Sequence, residues 1–146
     1  MFKLLVSFIF LLTLQSTIAQ KTNDAVFFSQ TKQINRFYTI SELEALKKGE
    51  LIHLYKQRVE EIMIILPFLS LTNEAGVRLS DIGIKEDSRN VKVLKNNTEA
   101  VAKSLESTKV AIEELVPYAD TEKIIWTILY LEEIIKKMRI GVNGNF

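Results

Sequence analysis

Cysteine is absent from the 146 residues. That excludes a disulfide framework, a thiol nucleophile and a thiolate metal site, and it leaves no cysteine for lipid attachment behind an export signal. Histidine occurs once, at His53, so no constellation that needs two imidazoles can form within one chain. Proline occurs twice, at Pro67 and Pro117, and glycine five times. Long stretches are therefore free of helix breakers. An excess of one charge is missing too. Lysine and arginine total 19 against 18 acidic residues, which removes the electrostatic footprint of a nucleic-acid or anionic-membrane partner.

One long apolar run is present, and it lies at the start. Met1-Phe2-Lys3 is a short positive beginning, Leu4 to Leu14 is apolar except for Ser7 and Thr13, and Thr17-Ile18-Ala19 places small residues where a signal peptidase reads. The run falls short of the ~20 residues that span a bilayer. Residues 1–19 are expected to be a cleaved signal peptide, with a retained anchor as the alternative, and no later segment is long enough to be transmembrane. Loss of Lys3 with the signal leaves the 18 acidic residues matched by as many basic ones. The short signal and the start at Gln20 point to an exported bacterial protein, periplasmic or extracellular. Asn96-Asn97-Thr98 is a glycosylation sequon, which has meaning only in a eukaryotic host.

The rest of the chain has helical periodicity. Residues 20–38 lack a sustained period and read as a flexible N-terminal arm whose aromatics, Phe27, Phe28, Phe37 and Tyr38, pack loosely. Thr39 with Glu42, or Ser41 with Glu44, fits a capping box and predicts a short helix to Lys48, with a bend at Gly49. A long helix follows, whose apolar face is read from Ile52, Tyr55, Val59, Ile62, Leu66 and Leu69, spaced by threes and fours. Thr72 to Lys85 is the longest connection, and its apolar residues suggest that it packs across an end of the bundle. From about Asp87 to Val116 a seam of Val91, Leu94, Thr98, Val101, Leu105, Thr108, Ile112 and Leu115 predicts a second long helix. Pro117 ends it, and Asp120 caps a third from Thr121 to about Arg139, with Ile124, Ile128, Leu131, Ile135 and Met138 toward the core. The expected fold is all-α: a small antiparallel bundle of three long helices and one short N-terminal helix over residues 39–140, with a tail at 141–146.

Candidate chemistry is thin. Glu50-Leu51-Ile52-His53 has the Glu-x-x-His spacing of di-iron bundles, but such a site needs two of these motifs, and the assumed core face points Glu50 and His53 outward. The same orientation disfavours a haem held by His53 with Met63 or Met138. Glu132 with Lys136, Glu133 with Lys137, Glu44 with Lys48 and Glu99 with Lys103 read as ion pairs one turn apart on solvated faces. Neither a nucleophile elbow nor a phosphate-cradling loop is present.

In type the chain resembles the small exported helical proteins common in bacteria, through its signal and its periodicity alone. The expected role is a non-enzymatic protein-binding module of the cell envelope, without cofactor. Ile125, Trp126, Leu129 and Tyr130 fall outside the core stripe of the last helix and form the candidate interaction surface, to be covered by the arm, the short helix, a second copy or a protein partner. The alternative is a bundle that binds an apolar small molecule between Ile62–Leu69 and Ile128 with Leu131.

Overall fold

The computed structural model describes residues 24–140. The signal read over residues 1–19 and the tail at 141–146 lie outside the described residues. Four α-helices account for most of the described chain: α1 (Ile40–Glu44), α2 (Lys48–Ile65), α3 (Ser88–Leu115) and α4 (Thr121–Ile140). Among the described residues there is no strand, only an isolated antiparallel bridge between Val26 and Arg78. No helix among them is long and apolar enough to cross a membrane.

The helix boundaries follow from their caps. Thr39 and Glu42 form the capping box: the Thr39 N–H donates to Glu42 Oε2 at 2.8 Å, and the Glu42 N–H donates to Thr39 Oγ1 at 3.4 Å. The break between α1 and α2 falls at Ala45–Lys47 rather than at Gly49, which lies inside the first turn of α2. The reason is Glu50, whose carboxylate reaches back to the Lys47 N–H at 2.8 Å and fixes the start of α2 ahead of the glycine. Glu44 and Lys48 thus belong to different helices, and the expected pairing one turn apart does not arise. Pro67 sits at the beginning of a 3₁₀ turn over Leu66–Phe68, where its missing N–H costs little, and Pro117 does the same in Val116–Tyr118. Asp87 caps α3 by accepting the Asn90 N–H at 2.9 Å.

The relative directions follow from the ion pairs. Lys48 Nζ donates to the Pro117 carbonyl, Lys56 pairs with Glu113, and Lys109 pairs with Glu60, so α2 and α3 run antiparallel. Arg58 pairs with Glu132 and Glu61 with Arg139, so α2 and α4 run in the same direction. The Glu60 carboxyl feels burial, which pushes its pKa up, but hydrogen bonds from Lys109 and Lys32 outweigh that and hold it below the usual range. Only Leu94, Leu105 and Ile112 of α3 are buried. Its two seam threonines turn back on the helix, Thr98 to the Leu94 carbonyl and Thr108 to that of Ser104, and Leu115 is exposed.

The core has two parts. One gathers Leu43 of α1, Leu51 and Leu54 of α2, and Ile124, Ile125 and Ile128 of α4. The other gathers Ala25, Phe27, Phe28, Ile65, Leu79, Leu94 and Met138. The second part corrects the expectation of loosely packed aromatics in the arm. Phe27 and Phe28 are buried, and the Phe27 ring meets Phe68 at 5.1 Å between centroids. Their backbone is pinned to the loop after α2: the Phe27 N–H donates to the Val77 carbonyl, Gly76 to Phe28 and Leu79 to Ala25. That loop turns through left-handed Gly76 and Gly83, and buries Leu79 as expected for a connection that packs on the bundle.

Candidate interaction surface

Between the two apolar clusters lies a charged waist. The buried stripe of α2 is Leu51, Leu54, Arg58, Glu61 and Ile65, one residue away from the stripe expected at Ile52, Tyr55, Val59, Ile62 and Leu66. A one-residue offset rotates the helix by about 100°. The residues of the expected stripe flank the true one, half-buried, and Leu66 is exposed. Arg58, Glu61 and Glu132 are 1%, 0% and 1% exposed. Glu132, expected on a solvated face with Lys136, is instead the buried partner of Arg58, while Glu133 pairs outside with Lys136 at 2.6 Å.

These charges survive burial because each is fully engaged. Arg58 donates from Nε and Nη2 to Glu132 Oε1 at 3.1 and 2.7 Å. Arg139 donates from Nε and Nη2 to Glu61 Oε1 at 3.0 and 2.8 Å. Arg58 Nη1 donates to the Leu54 carbonyl and to Gln57 Oε1, and the other remaining capacity goes to the segment 34–38, which crosses both pairs as a strap. The Tyr38 N–H donates to Glu132 Oε2 at 3.0 Å, and Arg58 Nη2 donates to the Arg36 carbonyl at 3.1 Å. The Ile34 N–H donates to Glu61 Oε2 at 2.6 Å, and Arg139 Nη2 donates to the Ile34 carbonyl at 2.7 Å. Side-chain charges therefore do for this backbone what a neighbouring strand does in a sheet. The strap's aromatics close over the cations: Tyr38 lies 5.5 Å from the Arg58 guanidinium carbon and Phe37 lies 5.2 Å from that of Arg139. Apolar periodicity alone does not reveal this network, because its members are charged. The available signal was the 3-4-3-4 spacing of Leu51, Leu54, Arg58, Glu61 and Ile65, with opposite charges seven residues apart at Glu132 and Arg139.

A cleft of about 310 Å³ opens beside the strap, lined in part by Lys32, Asn35, Arg36, Gln57 and Glu60. Its cations are already paired, Lys32 with Glu60 at 3.0 Å and Arg36 with Glu42 at 2.7 Å. Of the other sequence candidates, Glu50 and His53 are exposed, with Glu50 spent on its cap, and Met138 lies in the phenylalanine cluster. The residues expected to line a ligand cavity are divided: Ile62, Phe68 and Leu69 pack on the phenylalanine cluster, and Ile128 belongs to the other one.

The four residues of the candidate surface separate. Ile125 is buried with Leu43, because α1 folds over that side of α4; this corrects its assignment to the surface. Leu129 is half-buried at the edge of the same cluster. Trp126 and Tyr130 are 54% and 68% exposed, one turn apart, and line a shallow, mostly apolar depression with Thr127, Leu129 and Glu133. No family model matches the chain, and neither a curated protein nor a solved structure does.

Proposed function

We propose that the protein is an exported, non-enzymatic helical module of the bacterial envelope, periplasmic or extracellular, that works by binding protein through the outer face of α4. One observation carries the reading: Trp126 and Tyr130 stand in solvent beside each other on a helix whose opposite side is packed. A single exposed apolar side chain is ordinary, but paired aromatics over a depression are the residue types that anchor interfaces. The N-terminal pattern Met1–Ala19 supports export. Trp126 is the only tryptophan, so its fluorescence reports on this face alone. In dilute protein, acrylamide is expected to quench it strongly, and an envelope extract is expected to remove that quenching. A tryptophan shielded in the free monomer, or one that neither an envelope extract nor concentrated protein protects, overturns the proposal.

A further inference from the structure

The charges around the aromatic pair are ordered. At 100° per residue, Lys123, Trp126, Tyr130 and Glu133 fall within about 80° of arc on the outer side of α4, away from the buried Ile124, Ile128 and Ile135. From Lys123 to Glu133 the stripe runs positive, aromatic, aromatic, negative, and the exposed Lys137 follows one turn beyond in the same arc. That order is self-complementary only when reversed. From the geometry, we infer that two copies of the chain dock α4 against α4 in antiparallel register, centred between Trp126 and Tyr130. This inference rests on the proposed reading of the α4 face and names its partner.

In that register Trp126 of each copy lies level with Tyr130 of the other, so the rings form one cluster of four and each fills the other copy's depression. Lys123 and Glu133 each lie about 7.5 Å from the centre along the helix, which brings Lys123 level with Glu133 of the second copy. A parallel arrangement sets Lys123 against Lys123 and Glu133 against Glu133 and is opposed by both. Both side chains are free to serve. Their present partners are near neighbours in sequence, Asp120 just ahead of α4 at 3.0 Å and Lys136 on it at 2.6 Å, and such solvent-accessible pairs hold little energy. A two-fold interface also needs one patch to meet itself, which a stripe of this order does.

Within one chain Lys123 and Glu133 are about 15 Å apart along the helix and do not touch, which gives a test that a purely structural role does not pass. Sedimentation velocity of the signal-free chain from micromolar to millimolar is expected to show a reversible monomer–dimer equilibrium. The variant Trp126→Ser/Tyr130→Ser is expected to remain monomeric throughout with an unchanged helical circular-dichroism spectrum. Lys123→Glu alone lowers the association constant by about tenfold or more, as does Glu133→Lys alone. The double exchange Lys123→Glu/Glu133→Lys restores it. A wild-type monomer at every concentration overturns self-docking, whereas the binding-module reading fails on a different result, shielding of Trp126 in that monomer. A dimer that ignores the aromatic substitutions, or a double exchange no better than the single ones, also overturns the antiparallel register.

Discussion

Each side of α4 carries an exception to the usual distribution of side chains. The inner side carries Glu132 at 1% exposure together with the inward-turned guanidinium of Arg139, and the outer side carries Trp126 and Tyr130 in water. The inner charges have complete sets of partners, from α2 and from the strap, and the outer aromatics have few. The contrast separates two roles. Charge inside serves the fold by supplying a strap that has no neighbouring strand with donors and acceptors. The exposed part of the two aromatics serves no packing within the chain and is the surface available for binding.

Breaking the inner side should have the larger effect. Glu132→Ala leaves Arg58 buried without its carboxylate, and the expected loss is about 3–5 kcal/mol in urea unfolding. Replacing both charges, as in Arg58→Met/Glu132→Leu, should lose less than Glu132→Ala alone. What remains is mainly the part-buried Tyr38 N–H and Arg36 carbonyl left without these partners, about 1 kcal/mol each where water reaches them. If the double variant is worse than the single one, the pair supplies more than mutual neutralisation.

Next in size is the arm. Phe27→Ala removes a ring packed against Phe68 and should cost about 3 kcal/mol in the same assay, a core-like loss from a segment whose sequence shows no helical period. A loss near zero would return residues 24–28 to the status of a loose arm. A smaller, pH-dependent effect belongs to Glu42. The Thr39 N–H bond, then the hydrogen bonds from Arg36 and from the Thr39 hydroxyl, lower its pKa from 4.5 to about 2. A depressed carboxylate contributes stability that is fully present above its unfolded value and is lost as pH falls through the folded one. The stability difference between wild type and Glu42→Gln should therefore hold above pH 4.5 and shrink between 4.5 and about 2. A difference that stays constant across that window would detach the capping box from the ionised form. Smallest of all, Trp126→Ser should change unfolding stability by no more than about 0.5 kcal/mol while abolishing association, because an exposed position away from the core seldom matters to the fold.

The helices themselves were legible in the sequence, since the capping box at Thr39 and the prolines at 67 and 117 act locally, although periodicity alone does not mark Asp87 as a cap. What periodicity could not reveal was which of two adjacent stripes on α2 faces inward. Hydropathy favours Ile52, Tyr55, Val59 and Ile62, and it penalises Arg58 and Glu61, whose burial depends on partners 74 and 78 residues away in the chain. For the same reason local spacing pairs Glu132 with its neighbour Lys136, whereas the fold pairs it with Arg58. The outer face of α4 was legible at Trp126 and Tyr130, because an amphipathic helix sets the angle of each residue. Ile125 was not, because α1 covers it, and the packing of a five-residue helix leaves no periodic trace.

Amide hydrogen exchange at Ile34 and Tyr38 tests the inner side most directly. These two N–H groups have no helix or sheet to protect them and donate only to the buried carboxylates of Glu61 and Glu132. The account predicts that both exchange as slowly as the core amides of α2 and α4, and that Glu132→Gln speeds Tyr38 far more than it speeds Ile34. Exchange of both at the rate of an unstructured peptide would contradict it.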